Sequence, residues 1–435
     1  MLYSNSKKEE ILYEIESKLI PTESLDSISY KFKQEIQQRL IESNNSMLPS
    51  FLKQRSTNFI KNDNILAIDF GGTNLKFAIF KTYPAYSIQY MNSITVENKL
   101  VDLEFFNNIV ETIILEINDY FTSQQIIISK DISISITFSF PLNNNNEITV
   151  MGKNFILTDE IKGKPINKIL QLAFNKFAKI HMNGKIKFKV NENIINDSIA
   201  VHLTNKYMRR NEQNEKDKKQ RKNISLILGT GLNTCFEIPF NKLPNFKKNF
   251  CSNNNIIDMN EDVIINSEMG FLGGNGIIKL CNEFDIVSNL KMPMPLENIT
   301  SGNYLPQILK RILNYYNVYP ELTINFDGEM FCQLVEGEDI KSMLNNVDIE
   351  FIREIALIIL ERASIYIVAA IQAVNSFVNN DEKREKTINI GYVGSFLAYG
   401  KTYQEMIDKH SKGNINLQFL PDSSLIGAAV IGEKF

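Results

Sequence analysis

A short apolar run, Leu66-Ala67-Ile68, enters Asp69-Phe70-Gly71-Gly72-Thr73-Asn74-Leu75-Lys76 and leaves through a second apolar run, Phe77-Ala78-Ile79-Phe80. This pattern dictates two buried strands joined by a glycine turn. A plain hairpin needs only one polar pair at its tip. Here the turn carries a carboxylate, two glycines that open the backbone to a ligand, a hydroxyl, an amide and a lysine. Such an inventory suits phosphate oxygens held on backbone N–H groups, with the carboxylate managing a metal ion. A glycine hairpin without any ligand stays open on this stretch alone. The missing Lys-Ser or Lys-Thr ending argues against a Walker-type nucleotide site.

At 435 residues the chain is long for one core, and two domains or lobes are the default. With 43% apolar and 22% charged residues it is an ordinary globular composition. A formal charge of −3 gives no global attraction to nucleic acid or membrane. Cys235, Cys251, Cys281 and Cys332 are far apart, without metal-ligand spacing, and fit reduced thiols. The first ten residues form no signal peptide, and the apolar stretch from Ile355 to Val378 is interrupted by Glu361 and Arg362. A buried helix in a cytoplasmic protein is the expectation, with no membrane insertion. His181, His202 and His410 are scattered and show no ligand spacing.

Along the chain, residues 8–45 read as two helices broken at Pro21-Thr22, followed by an extended connector at Met47-Leu48-Pro49-Ser50-Phe51. Tyr90 to Val96 reads as a strand, Leu103 to Phe121 as a helix, and the alternating Ile132 to Phe140 as a strand ending at Pro141. Asn143 to Asn146 is an exposed loop, and 166–180 a helix. A strand at Ile186 to Val190 then delivers Asn196-Asp197. Met208 to Lys222 is a charge-rich linker with no interleaved aromatics, hence a solvated insertion and not a nucleic-acid site.

Ile224 to Leu228 enters a second glycine turn, Gly229-Thr230-Gly231-Leu232-Asn233-Thr234, which echoes the first. Two such units suggest a duplicated architecture, although chance likeness of two short Gly/Thr/Asn turns is equally open here. A long helix over 350–378, a strand from Ile388 into Gly394-Ser395, a strand Leu417 to Leu420, and a small-residue helix start at Gly427-Ala428-Ala429 complete an α/β pattern.

Phosphoryl transfer to an alcohol needs phosphate donors, a Mg²⁺ carboxylate, a base and polar groups that hold the acceptor in line. Asp197, at the end of an apolar-flanked strand, is the candidate base. An aspartate capping the helix that starts at Ser198-Ile199-Ala200 is the competing reading. Asn233, Asn266, Glu268 and Glu297 are the right residue types to grip a polyol, where an unpaired partner penalises the wrong stereoisomer.

Several ordered motifs, from about Ile20 to Gly432, resemble the fungal and animal hexokinases. Ser46-Met47-Leu48-Pro49-Ser50-Phe51 is similar to that family's leading segment, and Leu66 to Lys76 to its first phosphate motif, with Lys76 where arginine is usual. Thr137-Phe138-Ser139-Phe140-Pro141, Asn196-Asp197 and Leu228 to Asn233 follow in the family's order. So do Asn266-Ser267-Glu268, Leu296-Glu297-Asn298, Ser301 to Leu305, Gly394-Ser395 and Ser424 with Gly427-Ala428-Ala429.

The resemblance implies a two-lobed actin-like ATPase (ribonuclease H-like) fold with a central cleft, and ATP and Mg²⁺ as cofactors. It implies Asp197 and Lys153 as catalytic residues, and Asn143, Asn154, Asn196, Asn233, Glu268 and Glu297 as sugar contacts. The nucleotide falls to Asp69, Gly71, Gly72, Thr73, Asn74, Lys76, Gly229, Thr230, Gly394, Ser395 and Ser424, with Mg²⁺ on Asp69 through water. Residues 1–62 are expected as a helical segment, 63–195 as a small lobe and 196–435 as a large lobe, in a monomer or homodimer.

Besides Lys76, three further places depart from the family. Asn143 replaces a sugar-binding serine, Val150-Met151-Gly152-Lys153-Asn154-Phe155 keeps the sugar-loop lysine but loses a threonine hydroxyl, and Val393 replaces an aspartate. Each lost hydroxyl contact costs about 1–1.5 kcal/mol. The base, both glutamates, both phosphate turns and the lysine are present, so the resemblance implies an active 6-kinase of glucose or a related hexose. An N-acetylglucosamine kinase and a non-catalytic sugar sensor are the alternatives.

Overall fold

The computed structural model describes residues 3–50, 64–71, 74–81, 86–126, 131–140, 142–143, 145–149, 155–212, 223–249, 261–285, 294–318, 326–338, 347–379 and 387–431. The chain opens with α1 (Asn5–Leu19), α2 (Leu25–Glu42) and β1 (Leu48–Ser50). Next come β2 (Asn64–Phe70), β3 (Asn74–Lys81), β4 (Ser87–Thr95), β5 (Leu100–Val101) and α3 (Leu103–Ser123). Then β6 (Ile132–Phe138), β7 (Ile156–Leu157), α4 (Ile166–His181), β8 (Phe188–Ile195) and α5 (Asp197–Glu212) follow.

The second half runs β9 (Ile224–Leu228), β10 (Leu232–Pro239), α6 (Asn245–Asn249), β11 (Asp262–Asn266), α7 (Pro295–Asn298) and α8 (Leu305–Tyr315). It finishes with α9 (Gly328–Glu336), α10 (Ile349–Asn379), β12 (Ile388–Val393), α11 (Ser395–Tyr399), α12 (Lys401–Ser411), β13 (Ile415–Phe419) and α13 (Ser423–Ala429).

The chain divides into two compact units, each discontinuous in sequence. The first comprises 1–50 with 219–421, and the second 51–218 with 422–435. This grouping differs from boundaries at 62 and 195. Helix α5 and its Asp197 belong with the early strands, and the last helix joins them, because the packing partners of both lie there.

In the second unit the sheet order is β4-β3-β2-β6-β8, with β2 antiparallel to β3 and parallel to β6, and β6 parallel to β8. In the first unit it is β1-β11-β10-β9-β12-β13, with β9 antiparallel to β10 and parallel to β12, and β12 parallel to β13. Leaving out β1, the two orders are the same. That shared topology is a stronger sign of duplication than the likeness of two turns.

Helices α3 and α4 cover one face of the β4-β3-β2-β6-β8 sheet. Phe106, Val110, Ile113, Ile114 and Ile117 of α3 are buried at the helical spacing legible in the sequence. The strand β6 alternates isoleucine with serine and threonine, yet every one of its residues is buried. Helix α13 explains this. Leu425, Ala428 and Ala429 pack on Ile65, Ala67, Ala78 and Phe80, and the Thr137 hydroxyl donates to the Ser424 carbonyl at 3.0 Å. A Cβ on Gly427 would lie 2.0 Å from the Ala200 carbonyl oxygen, so only glycine lets α13 meet α5 so closely. The helix begins at Ser423, which puts Gly427 mid-helix and not at the start expected from its small residues.

In the other unit, α10 is the long buried helix expected from the sequence. Its Arg362 is buried in a two-pronged pair with Asp285, at 2.5 and 3.1 Å. Among the described residues, no helix is long and apolar enough to cross a membrane.

Candidate active site

In the second unit, parallel β2, β6 and β8 bring their carboxyl ends to one sheet edge. Asp69 pairs in register with Thr137, and Thr137 with Ile195. Asp69 and the Asn196-Asp197 pair thus emerge two strands apart, about 10 Å at the usual strand spacing. Such a carboxyl edge is where open α/β sheets present ligands.

Asn196 caps α5. Its side-chain oxygen accepts from the Ser198 N–H at 2.9 Å and from the Ser198 hydroxyl at 2.7 Å, and its carbonyl accepts from Ala200. The competing capping reading for Asp197 therefore goes to its neighbour. Asp197 is the first helical residue, half-buried, and accepts from the same Ser198 N–H at 2.8 Å. A carboxylate there is favoured by the positive end of the helix. On the opposite flank, Lys76 pairs across β2–β3 with Asp69 and lies 3.8 Å from the Asp422 carboxylate at the cap of α13.

Gly71 stands at the tip of this hairpin, where a Cβ would come within 2.5 Å of the Asn74 carbonyl oxygen. Gly72, Thr73, Lys153 and Asn154 lie outside the described residues, as do Pro141, the span 150–152 and the linker portion 213–222. Asn143 is exposed and committed to its own loop. Its side chain accepts from the N–H groups of Asn145 and Glu147, both at 3.0 Å, and donates to the Glu147 carboxylate at 2.8 Å. A sugar contact at Asn143 has to compete with these bonds.

The first unit holds a different set. Pairing of β10 with β11 sets Cys235 opposite Asn266, which brings Asn233 beside the Asn266-Ser267-Glu268 turn. The Asn233 amide donates to Asn266 at 2.9 Å and to Glu268 at 3.3 Å, and the Asn266 amide donates to Glu268 at 2.8 Å. Three side chains expected to grip a polyol are thus one hydrogen-bonded cluster. Glu268 has φ +49°, a left-handed conformation that costs a non-glycine residue of order 1–3 kcal/mol and is held by its surroundings.

Glu297 sits under the second glycine turn and accepts from the Leu232 N–H at 2.9 Å. A Cβ on Gly231 would lie 2.9 Å from that carboxylate. Burial pushes the Glu297 carboxyl above its ordinary range, opposed by the Leu232 N–H. The turn is braced on its other sides by Gly302, whose N–H donates to the Gly229 carbonyl at 2.8 Å, and by Ser301, whose hydroxyl donates to the Thr230 carbonyl at 3.0 Å.

Gly394 has φ +118°, and a Cβ there would be 2.3 Å from the Leu228 carbonyl oxygen. The two glycine motifs, at 229 and 394, therefore touch through backbone, leaving Thr230 and Ser395 exposed beside them. Ser301 and Gly302 belong to the motif that resembles the family's second glutamate segment, and here they brace the glycine turn through its backbone carbonyls. Their signal was the Ser-Gly pair soon after Glu297. Ser424 contributes its carbonyl to Thr137, and its side chain is half-buried.

Two sheets of one topology, each with a glycine hairpin and with ligand-type side chains at strand ends, define an α/β protein of the actin-like ATPase fold. The chain is similar over 99% of its length to hexokinase from Schistosoma mansoni complexed with glucose, at TM-score 0.68, 19% identity and 99% coverage of that chain. It is also similar to another crystal structure of hexokinase, at TM-score 0.70, 18% identity, and 98% and 99% of the two chains.

Two family models, both described as hexokinase, match residues 11–207 and 223–433. The chain belongs to the hexokinase family and is a sugar-kinase phosphotransferase. Candida albicans N-acetylglucosamine kinase 1 is 26% identical over 84% of this chain and 81% of that protein. Saccharomyces cerevisiae hexokinase-1 is 23% identical over 68% of this chain and 58% of its own length.

Proposed function

We propose that this kinase transfers the γ-phosphoryl group of ATP to the 6-hydroxyl of glucose or a related hexose, with Asp197 as general base. The observation that carries the reading is the placement of Asp197 and Asp69 at one carboxyl edge of parallel strands. Asp197 takes the proton as the 6-oxygen bonds to the γ-phosphorus and the bond to the departing ADP oxygen breaks. Lys153 and Lys76 balance phosphate charge, and backbone N–H groups of the two glycine turns hold the phosphates, except those of Gly71 and Gly229, which already donate to the Asp69 and Gly231 carbonyls.

Mg²⁺ takes one or two carboxylates beside substrate phosphates and keeps several waters, and the Asp69 carboxylate beside a glycine turn fits that donor set. When bound it would neutralise charge on the β- and γ-phosphates. Asn196, Asn233, Glu268 and Glu297 hold the sugar. Gly394, Ser395 and Ser424 flank the nucleotide.

A second reading keeps the reaction and changes the acceptor to N-acetylglucosamine. It is favoured by Asn143, whose amide is spent on its own loop, and by the similarity to an N-acetylglucosamine kinase along most of both chains. ADP release measured over glucose, mannose, fructose, glucosamine and N-acetylglucosamine decides between the two. Turnover with glucose above all others supports the first, and turnover confined to N-acetylglucosamine replaces it. Melting-temperature shifts with sugar but no ADP release from any of them leave a sensor instead of a kinase.

A further inference from the structure

We propose that the pair of buried Glu35 with largely covered Arg39 on α2 is a positioning device for Glu268, and so sets how tightly the sugar is held. The inference rests on the kinase reading above. Glu35 is 0% exposed, and both of its oxygens are engaged. One accepts from Arg39 Nε at 2.8 Å, and the other from the Gly273 N–H at 2.8 Å. Arg39 in turn donates through Nη2 to the Phe271 carbonyl at 2.5 Å. The Phe271 N–H donates to the Glu268 carbonyl at 3.1 Å, which closes a short path from α2 to the sugar cluster.

Three features point to positioning and not merely to helix attachment. Burying a charged pair is costly, and apolar residues fasten a helix as well or better. Beyond each other, and apart from Arg39 lying over the Phe271 ring at 5.9 Å, the charged atoms bond among the described residues to the backbone of 271–273, the stretch that follows Glu268. Gly274 makes room for them, since a Cβ there would lie 3.1 Å from Arg39 Nη2. Glu268 itself is held in the left-handed region, a conformation that a bulky side chain keeps only when its neighbours enforce it. The near side of the turn is held separately, by the Met47 N–H on the Ser267 carbonyl at 3.1 Å. Release of the 271–273 side would let Glu268 relax away from Asn233 and Asn266.

The test is a double-mutant cycle between Glu35→Gln and Glu268→Gln, read by calorimetric sugar titration because the chain has no tryptophan. Steady-state ADP release gives KM and kcat alongside. Glu35→Gln is expected to raise sugar Kd and KM about tenfold while the KM for ATP, and kcat at saturating sugar, stay within about twofold. In the Glu268→Gln background the same substitution should add nothing. Arg39→Lys keeps the charge but cannot reach both partners, and is expected to repeat the shift in smaller measure.

Equal weakening in both backgrounds, or lost melting temperature with an unchanged sugar KM, overturns the proposal and leaves the kinase reading standing. Absence of sugar-dependent ADP release from the unaltered chain defeats the kinase reading first, and this inference with it.

Discussion

In the hairpin of β2 and β3, the second row below the turn pairs Asp69 with Lys76, whereas the same row of β9 and β10 pairs Ile227 with Asn233. The frames are alike in strand order and direction, and the side chains on them are not. One hairpin presents opposite charges, suited to phosphate and metal. The other has an apolar residue in place of the carboxylate and an amide in place of the lysine. That amide feeds the Asn266–Glu268 cluster. On the proposed function, the shared topology stays intact while charge handling and stereochemical grip separate onto different sheets.

The sharpest way to break this division is Asp197→Ala. We expect kcat to fall by about 10²–10⁴ while sugar Kd, measured by calorimetry, changes little. Near-normal turnover would remove the base from the charged copy and the contrast with it.

Next in size is Gly394→Ala, which drives a methyl into the Leu228 carbonyl and forces a positive φ on alanine. A stability loss of about 3 kcal/mol or more in urea denaturation is expected, with the Gly229 turn displaced. A loss under about 1 kcal/mol would mean that the second turn does not depend on that backbone contact.

Glu297→Gln probes the grip copy. Its carboxyl is raised by burial, so its contribution to stability is full at low pH and fades as pH rises through the raised value. The glutamine variant should therefore gain stability relative to wild type as pH rises above the ordinary carboxylate range, while sugar KM rises several-fold. Parallel stability curves over that range would contradict the buried assignment.

The smallest effect is expected from Lys76→Arg. Lys76 is half exposed and only loosely paired with Asp422, so a fork-shaped donor should improve ATP KM by no more than about fivefold without changing sugar KM.

The hairpin at Asp69 was legible because everything that makes it is local: two apolar runs, a glycine tip and a polar inventory within the fifteen residues from Leu66 to Phe80. The strand-end position of Asp197 was legible for the same reason. Membership of the units was not, since α13 joins the early strands through contacts such as Gly427 on Ala200, which no local pattern announces. The link between Asn233 and Glu268 depends on the register of β10 against β11. Glu35 and Arg39, four apart on a helix, read like any solvent-facing i,i+4 ion pair, and only tertiary packing reveals Glu35 as buried and Arg39 as largely covered. The left-handed backbone of Glu268 carries no glycine or asparagine to give it away.

The covering of β2 and β3 by α13 has a temporal side. Ile65, Ala67, Ala78 and Phe80 leave the ribosome well before Leu425, Ala428 and Ala429, which shield them and lie more than 300 residues further along the chain. At about 5–20 residues per second, the nascent chain carries that apolar face unshielded for tens of seconds, a window in which chaperones and unwanted partners compete for it.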